Sequence, residues 1–111
     1  MGADARTHGA TDCLGLAIAV LRFYGVTTPQ PERSWYRRLK RGDTEVFRDE
    51  LERWGIEVEA PRLGAVGLCR SEFGYGLAVW WSEGWLSYRL DQVAWSPPGV
   101  LEVCGIYCRS K

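Results

Sequence analysis

The run Thr11-Asp12-Cys13-Leu14-Gly15-Leu16-Ala17-Ile18-Ala19-Val20-Leu21-Arg22-Phe23-Tyr24-Gly25 constrains this chain more than any other. It predicts one helix with a cysteine at its start. Thr11 or Asp12 suits the N-cap, because either side chain can accept from the free N–H groups of a first turn. Gly25 suits the residue just past the end. The interior is almost wholly apolar, which requires burial on most sides. A thiol at a helix start feels the positive end of the helix dipole, which lowers its pKa and makes it a better nucleophile. Cys13 is therefore a candidate nucleophile, and the rest of the chain is to be searched for its partners.

With 111 residues the chain is long enough to bury a core without covalent staples, and 1–111 reads as a single domain. Fourteen basic and fourteen acidic side chains cancel. No global field favours nucleic acid or an anionic membrane surface. The N-terminus lacks the charged and apolar pattern of a signal peptide, and the longest apolar run is too short to span a bilayer. The expectation is thus no nucleic-acid partner and no membrane insertion. Cys13, Cys69, Cys104 and Cys108 are scattered, so free thiols in a reducing setting are the default.

Residues 1–10 read as a loose lead-in. After the first helix, Thr27-Thr28-Pro29-Gln30-Pro31 marks a loop. Trp35–Arg41 reads as a short helical turn with a basic outer face, stopped by Gly42. Asp43 or Thr44 then caps a second clear helix, Glu45 to Trp54. It opens on acids, closes on Arg53 and Gly55, and carries Val46, Phe47, Leu51 and Trp54 as its apolar face. Beyond Gly55 the period falls to two. Ile56–Glu59, Ala65–Arg70, Tyr75–Trp81, Trp85–Leu90 and Val100–Tyr107 read as strands. The outline is α+β, with N-terminal helices packed on a small antiparallel sheet of about five strands.

Three constellations besides Cys13 carry possible chemistry. Cys104 and Cys108 would lie about 13 Å apart on an extended strand. A shared metal, with Cys69 as a third ligand, would need a sharp bend at Gly105, so separate thiols and no cofactor are favoured. Trp80 and Trp81 are adjacent on one strand and must point to opposite faces. With Trp85 they form a weak candidate binding surface for a neighbouring protein. The arginines beside Trp35 and Tyr36 could hold phosphate, but the patch is short and the net charge zero, which favours a solvated or protein-contacting face.

Asp12-Cys13-Leu14-Gly15-Leu16, preceded by Gly9 and running on as an apolar helix, resembles the nucleophile motif of NlpC/p60-type cysteine peptidases. Other stretches follow that family in order. Asp43–Gly55 resembles its second helix. Pro61-Arg62-Leu63-Gly64-Ala65 resembles its Pro-x-x-Gly-Asp strand, with Ala65 in place of the acid. Gly74–Leu86 resembles the strands that carry its histidine. The ending Val100–Arg109 is similar to the closing strand of the branch encoded by tailed phages. The resemblance implies a papain-like fold and, for active members, cleavage of peptides in cell-wall peptidoglycan. For phage members it implies a place at the tail tip.

What the resemblance does not bring is a base. A cysteine hydrolase needs one to form the thiolate and to protonate the leaving amine. The histidine slot falls on Gly74 or Gly76, and neither has a side chain. His8 is the only histidine, five residues before Cys13, and is a weak candidate base if a loop folds it back. The resulting expectation is a catalytically inactive structural or assembly protein of a phage tail tip. It would be made in the bacterial cytoplasm, carried in the virion and bound to other tail-tip proteins. The alternative is an active cysteine endopeptidase or amidase on peptidoglycan peptides, with Cys13 as nucleophile.

Overall fold

The structure, a computed structural model, describes residues 2–72, 74–89 and 92–109, with side chains from Asp12 onward and excepting Arg89. It is an α+β fold. Among the described residues there are three helices, α1 (Gly2–Phe23), α2 (Arg33–Lys40) and α3 (Glu45–Trp54). Six strands follow: β1 (Ile56–Val58), β2 (Val66–Ser71), β3 (Gly74–Trp81), β4 (Gly84–Arg89), β5 (Gln92–Ser96) and β6 (Val103–Cys108). They form one antiparallel sheet in the order β1-β6-β2-β3-β4-β5.

The first helix departs from the sequence expectation at its start. It begins at Gly2 and runs through Thr11 and Asp12, so neither caps it and 2–10 is no loose lead-in. Ala3, Asp4, Ala5, Arg6 and Ala10 have enough helix propensity to carry the chain past Gly9. The end is as the sequence suggests. Gly25 adopts φ +78°. Its N–H reaches the Arg22 carbonyl at 2.9 Å, and the Val26 N–H reaches that of Leu21 at 2.9 Å, the paired bonds of a Schellman stop. The same device closes α2. Gly42 sits at φ +82°, with its own and the Asp43 N–H bonded back to Leu39 and Arg38.

α1 and α3 press on one face of the sheet, and α2 packs against both of them. Cys13, Leu14, Ala17 and Leu21 of α1 meet Trp35 and Leu39 of α2, Val46, Phe47, Leu51 and Trp54 of α3, and Val66, Leu68, Leu77, Val79 and Tyr107 of the strands. Leu68 and Val79 are essentially sealed, so truncating Leu68 to alanine is expected to cost about 2–5 kcal/mol. Arg38 ties α2 to α3 by bonding Asp43 at 2.7 Å and Asp49 at 2.9 Å. The Trp54 indole holds the α1–α2 loop through the Thr27 carbonyl at 2.8 Å, and Arg109 donates to the Trp54 carbonyl at 2.6 Å at the helix end.

The opposite face has its own smaller core of Ala65, Ala78, Trp80, Trp85 and Cys108, with Leu101, Val103 and Ile106 packed beside it. A sheet covered on both sides explains why β2 and β3 read as nearly continuous apolar runs. Two strand readings need correcting. Gln92–Ser96 is a sixth strand that the five-strand outline lacks, and the last strand starts at Val103 after a turn at 97–102. The outer strand β1 leaves Ile56 and Glu57 exposed, so its alternation does not bury a face as an inner strand would. Leu90, where the sequence pattern ends this strand, lies outside the described residues.

Candidate functional site

Cys13 sits in the middle of α1 rather than at its start. The dipole of a helix acts within its first and last turns, so the thiol loses the stabilisation that a helix start would give its anion. It is also buried, 6% exposed, among the apolar side chains between α1 and β3. Burial pushes its pKa up to about 11, only partly countered by hydrogen bonding with the Leu77 backbone, and Asp12 adds to the rise. The sulfur is held as a thiol at neutral pH, the opposite of an activated nucleophile.

The strand beneath it contains both positions where a histidine was sought. Gly74 adopts φ +112°, and a Cβ there would run into the Thr44 hydroxyl. Gly76 has open space around it, but it pairs with Cys69 while its neighbour Leu77 pairs with Leu68 in the helix-side core. Alternation along the strand therefore turns position 76 to the face away from Cys13. His8 lies on α1 itself, so no loop returns it toward Cys13; its side chain lies outside the described residues.

The other thiols divide into two places. Cys69 and Cys104 are neighbours across β2 and β6, at a register shift between Leu68 and Cys69. Cys104 donates to the Leu68 carbonyl at 3.2 Å. Burial, with smaller contributions from Cys13 and Cys104, pushes Cys69 up to about 12. Cys108 is at the other end of β6, opposite Ile56 and inside the second core. The suggested set Cys69, Cys104 and Cys108 is thus not brought together. Among the described residues no group of three or more His, Cys, Asp or Glu side chains could hold a metal ion.

Trp80 and Trp81 do point to opposite faces, but the exposed one is Trp81, on the helix side. Trp80 packs edge-on against Trp85 with ring centroids 5.0 Å apart, and both are buried. Trp80 and Trp85 are therefore core, and Trp81 alone of the three is available to a partner. Sequence reading missed its companions. Phe23 is 83% exposed, Val93 52% and Trp95 47%. Phe23 and Trp81, with Ala19, Val20 and Leu86, line an apolar concavity of about 270 Å³. The β-formers Val93 and Trp95, two apart and flanked by polar Gln92 and Ser96, are the signal that would have found the strand carrying two of them.

A second, mainly apolar cavity of about 50 Å³ lies under the three helices, lined by Leu14, Leu21, Trp35, Phe47, Trp54 and others, with Thr28 and Glu50 at its margin. It is far below the several hundred Å³ of a small-molecule site. No helix among the described residues is long and apolar enough to cross a membrane. Comparison with family models, with curated proteins and with solved structures finds no match to the chain.

Proposed function

We propose that this chain is a non-catalytic, NlpC/p60-like domain with a papain-like arrangement, acting as a structural or assembly component of a phage tail tip and binding neighbouring tail proteins. The observation that carries the first half is the state of Cys13. Its thiol is buried in a helix interior with its pKa raised to about 11. Both glycines at the histidine slot are unfit to replace the base, one for want of space and the other for its direction. The general layout is in keeping with the resemblance, since the cysteine-bearing helix packs on an antiparallel sheet against the strand that would carry the histidine.

The assembly half rests on the resemblance together with the exposed Phe23, Trp81 and Trp95, large aromatic side chains of the kind that anchor protein interfaces. The reading needs no cofactor, no nucleic acid and no membrane insertion, and it puts the protein in the virion after synthesis in the bacterial cytoplasm.

The test compares wild type with Cys13→Ala in two assays. Incubation with purified peptidoglycan is expected to release no peptide fragments from either protein. Co-expression with tail-tip proteins is expected to give the same complex with either. Fragment release by wild type that disappears in Cys13→Ala would establish the cysteine peptidase alternative instead. Failure of both forms to join any tail-tip complex would end the assembly reading.

A further inference from the structure

The two edges of the sheet are built differently. One is β1, three residues long, with Glu57 at its centre. Short length and charge are the usual protections of an edge. The other is β5, and it has none of them. Gln92–Ser96 carries no charge and no proline, and it pairs with β4 in unbroken register from Trp85↔Ser96 to Arg89↔Gln92. Among the described residues nothing pairs with its outer side. The backbone N–H and C=O groups on that side face solvent, a ready template for pairing with another strand.

We propose that β5 is a homodimer contact, in which two copies of this chain pair their β5 strands antiparallel about a two-fold axis at Ala94. The strand is its own complement in that arrangement. Gln92 comes opposite Ser96 of the second copy, two uncharged polar residues. Val93 comes opposite Trp95, a β-branched and aromatic pair of the kind that stabilises adjacent strands. Ala94 meets itself on the axis, where a small side chain is needed.

The face that becomes shared is already apolar. Trp95 and Val93 pair with Leu86 and Tyr88, which pack on the helix-side core. Trp95 is also fixed in place before any partner arrives. Its indole donates to the Trp81 carbonyl at 3.0 Å and lies where a Cβ at Gly84 would be. A side chain already ordered loses little entropy on association.

A two-fold contact of this kind is isologous and closes at two copies. The strand is five residues long, which places the interface at the small end and makes the dimer reversible. This inference stands apart from the tail-tip reading, since it needs neither a phage partner nor an inactive cysteine.

The test is sedimentation velocity over a range of concentrations. Wild type is expected to shift from monomer to dimer and to stop there, while Val93→Lys and Val93→Pro stay monomeric; the register turns the Val93 N–H to the outer side, so proline there removes a donor from the dimer contact and none from the β4–β5 hairpin. Because either variant is open to the charge of misfolding, a cross-link is the second measurement. Opposed residues in an antiparallel pair have Cα atoms roughly 4.5–5.5 Å apart, within disulfide range. Ala94→Cys treated with oxidised glutathione is therefore expected to give a disulfide-linked dimer in high yield. Wild type and Gln92→Cys should not, since position 92 faces 96 and not itself. A wild type that is monomeric up to about 1 mM, an open series of oligomers, or equal cross-linking of Gln92→Cys and Ala94→Cys would each overturn the proposal.

Discussion

Thr44 precedes α3, yet its hydroxyl accepts the backbone N–H of Tyr75 on β3 at 2.8 Å and makes no cap bond to its own helix. Asp43 takes over the helix end, its carboxylate accepting the Glu45 N–H at 3.2 Å. The two cap candidates of the sequence thus share the work, one holding the helix and the other pinning it to the sheet. Gly74 has no side chain because that hydroxyl occupies the place of its Cβ.

Thr44→Ala is expected to lower stability by about 1–2 kcal/mol, since it leaves a partly buried N–H without its partner. Gly74→Ala should cost about 1–3 kcal/mol, through its positive φ and the contact with Thr44. The cost of Gly74→Ala should shrink in the Thr44→Ala background, because the hydroxyl it meets is gone. Urea unfolding of the four proteins in a double-mutant cycle reads this coupling, and strictly additive costs would contradict it.

Alkaline pH should destabilise the protein through its buried thiols. An unfolded cysteine ionises near its ordinary value of 9.0, whereas Cys13 in the fold keeps its proton to about 11. Its contribution is therefore complete below pH 9 and is lost as pH rises toward 11, about 2–3 kcal/mol in all, with Cys69 adding in the same direction. Denaturation midpoints measured between pH 8 and 10.5 should fall in wild type and fall less in Cys13→Ala. At pH 8, iodoacetamide should modify the exposed Cys104 first and reach Cys13 only on unfolding.

The β3–β4 turn stores removable strain. Ser82 and Glu83 both adopt left-handed conformations, φ 51° and 61°, the positive-φ pattern that two-residue hairpins usually fill with Asn and Gly. Replacing Ser82-Glu83 by Asn-Gly should stabilise by about 1–2 kcal/mol. A thermal melt should show this as a rise of several degrees; an unchanged or lower midpoint would show that the side chains present are not strained.

Ser87 is buried on β4, and its hydroxyl finds no partner among the described residues. Ser87→Ala should then be neutral or stabilising by up to about 1–2 kcal/mol, since it removes a desolvated polar group and no bond. A clear loss of stability in chemical denaturation would mean that the hydroxyl is satisfied in solution.

How much of this was legible depended on whether the signal was local. The bounds of α3 are readable because acids, an apolar stripe, Arg53 and Gly55 all lie inside or beside it. The Gly25 and Gly42 stops are readable for the same reason. Thr11-Asp12 is a good local cap signal that lost to the helix running through it, and with it went the position of Cys13 relative to the helix start. The identity of a candidate nucleophile was plain in the sequence; its burial was not, because Leu77 and the facing strand are more than sixty residues away. Trp85 shows the same limit. Only the register that puts it opposite Trp80 makes it core rather than surface.

The sheet order carries a consequence for how the molecule comes together. β6, the last strand in sequence, lies between β1 and β2 and joins them. Until it arrives, β1 has no neighbour and β2 presents an open side. A ribosome partway through the chain therefore carries a sheet in two unconnected pieces, and cooperative closure waits for Val103–Cys108. Chains cut short before Val103 should behave as substrates for proteases rather than as smaller folded proteins.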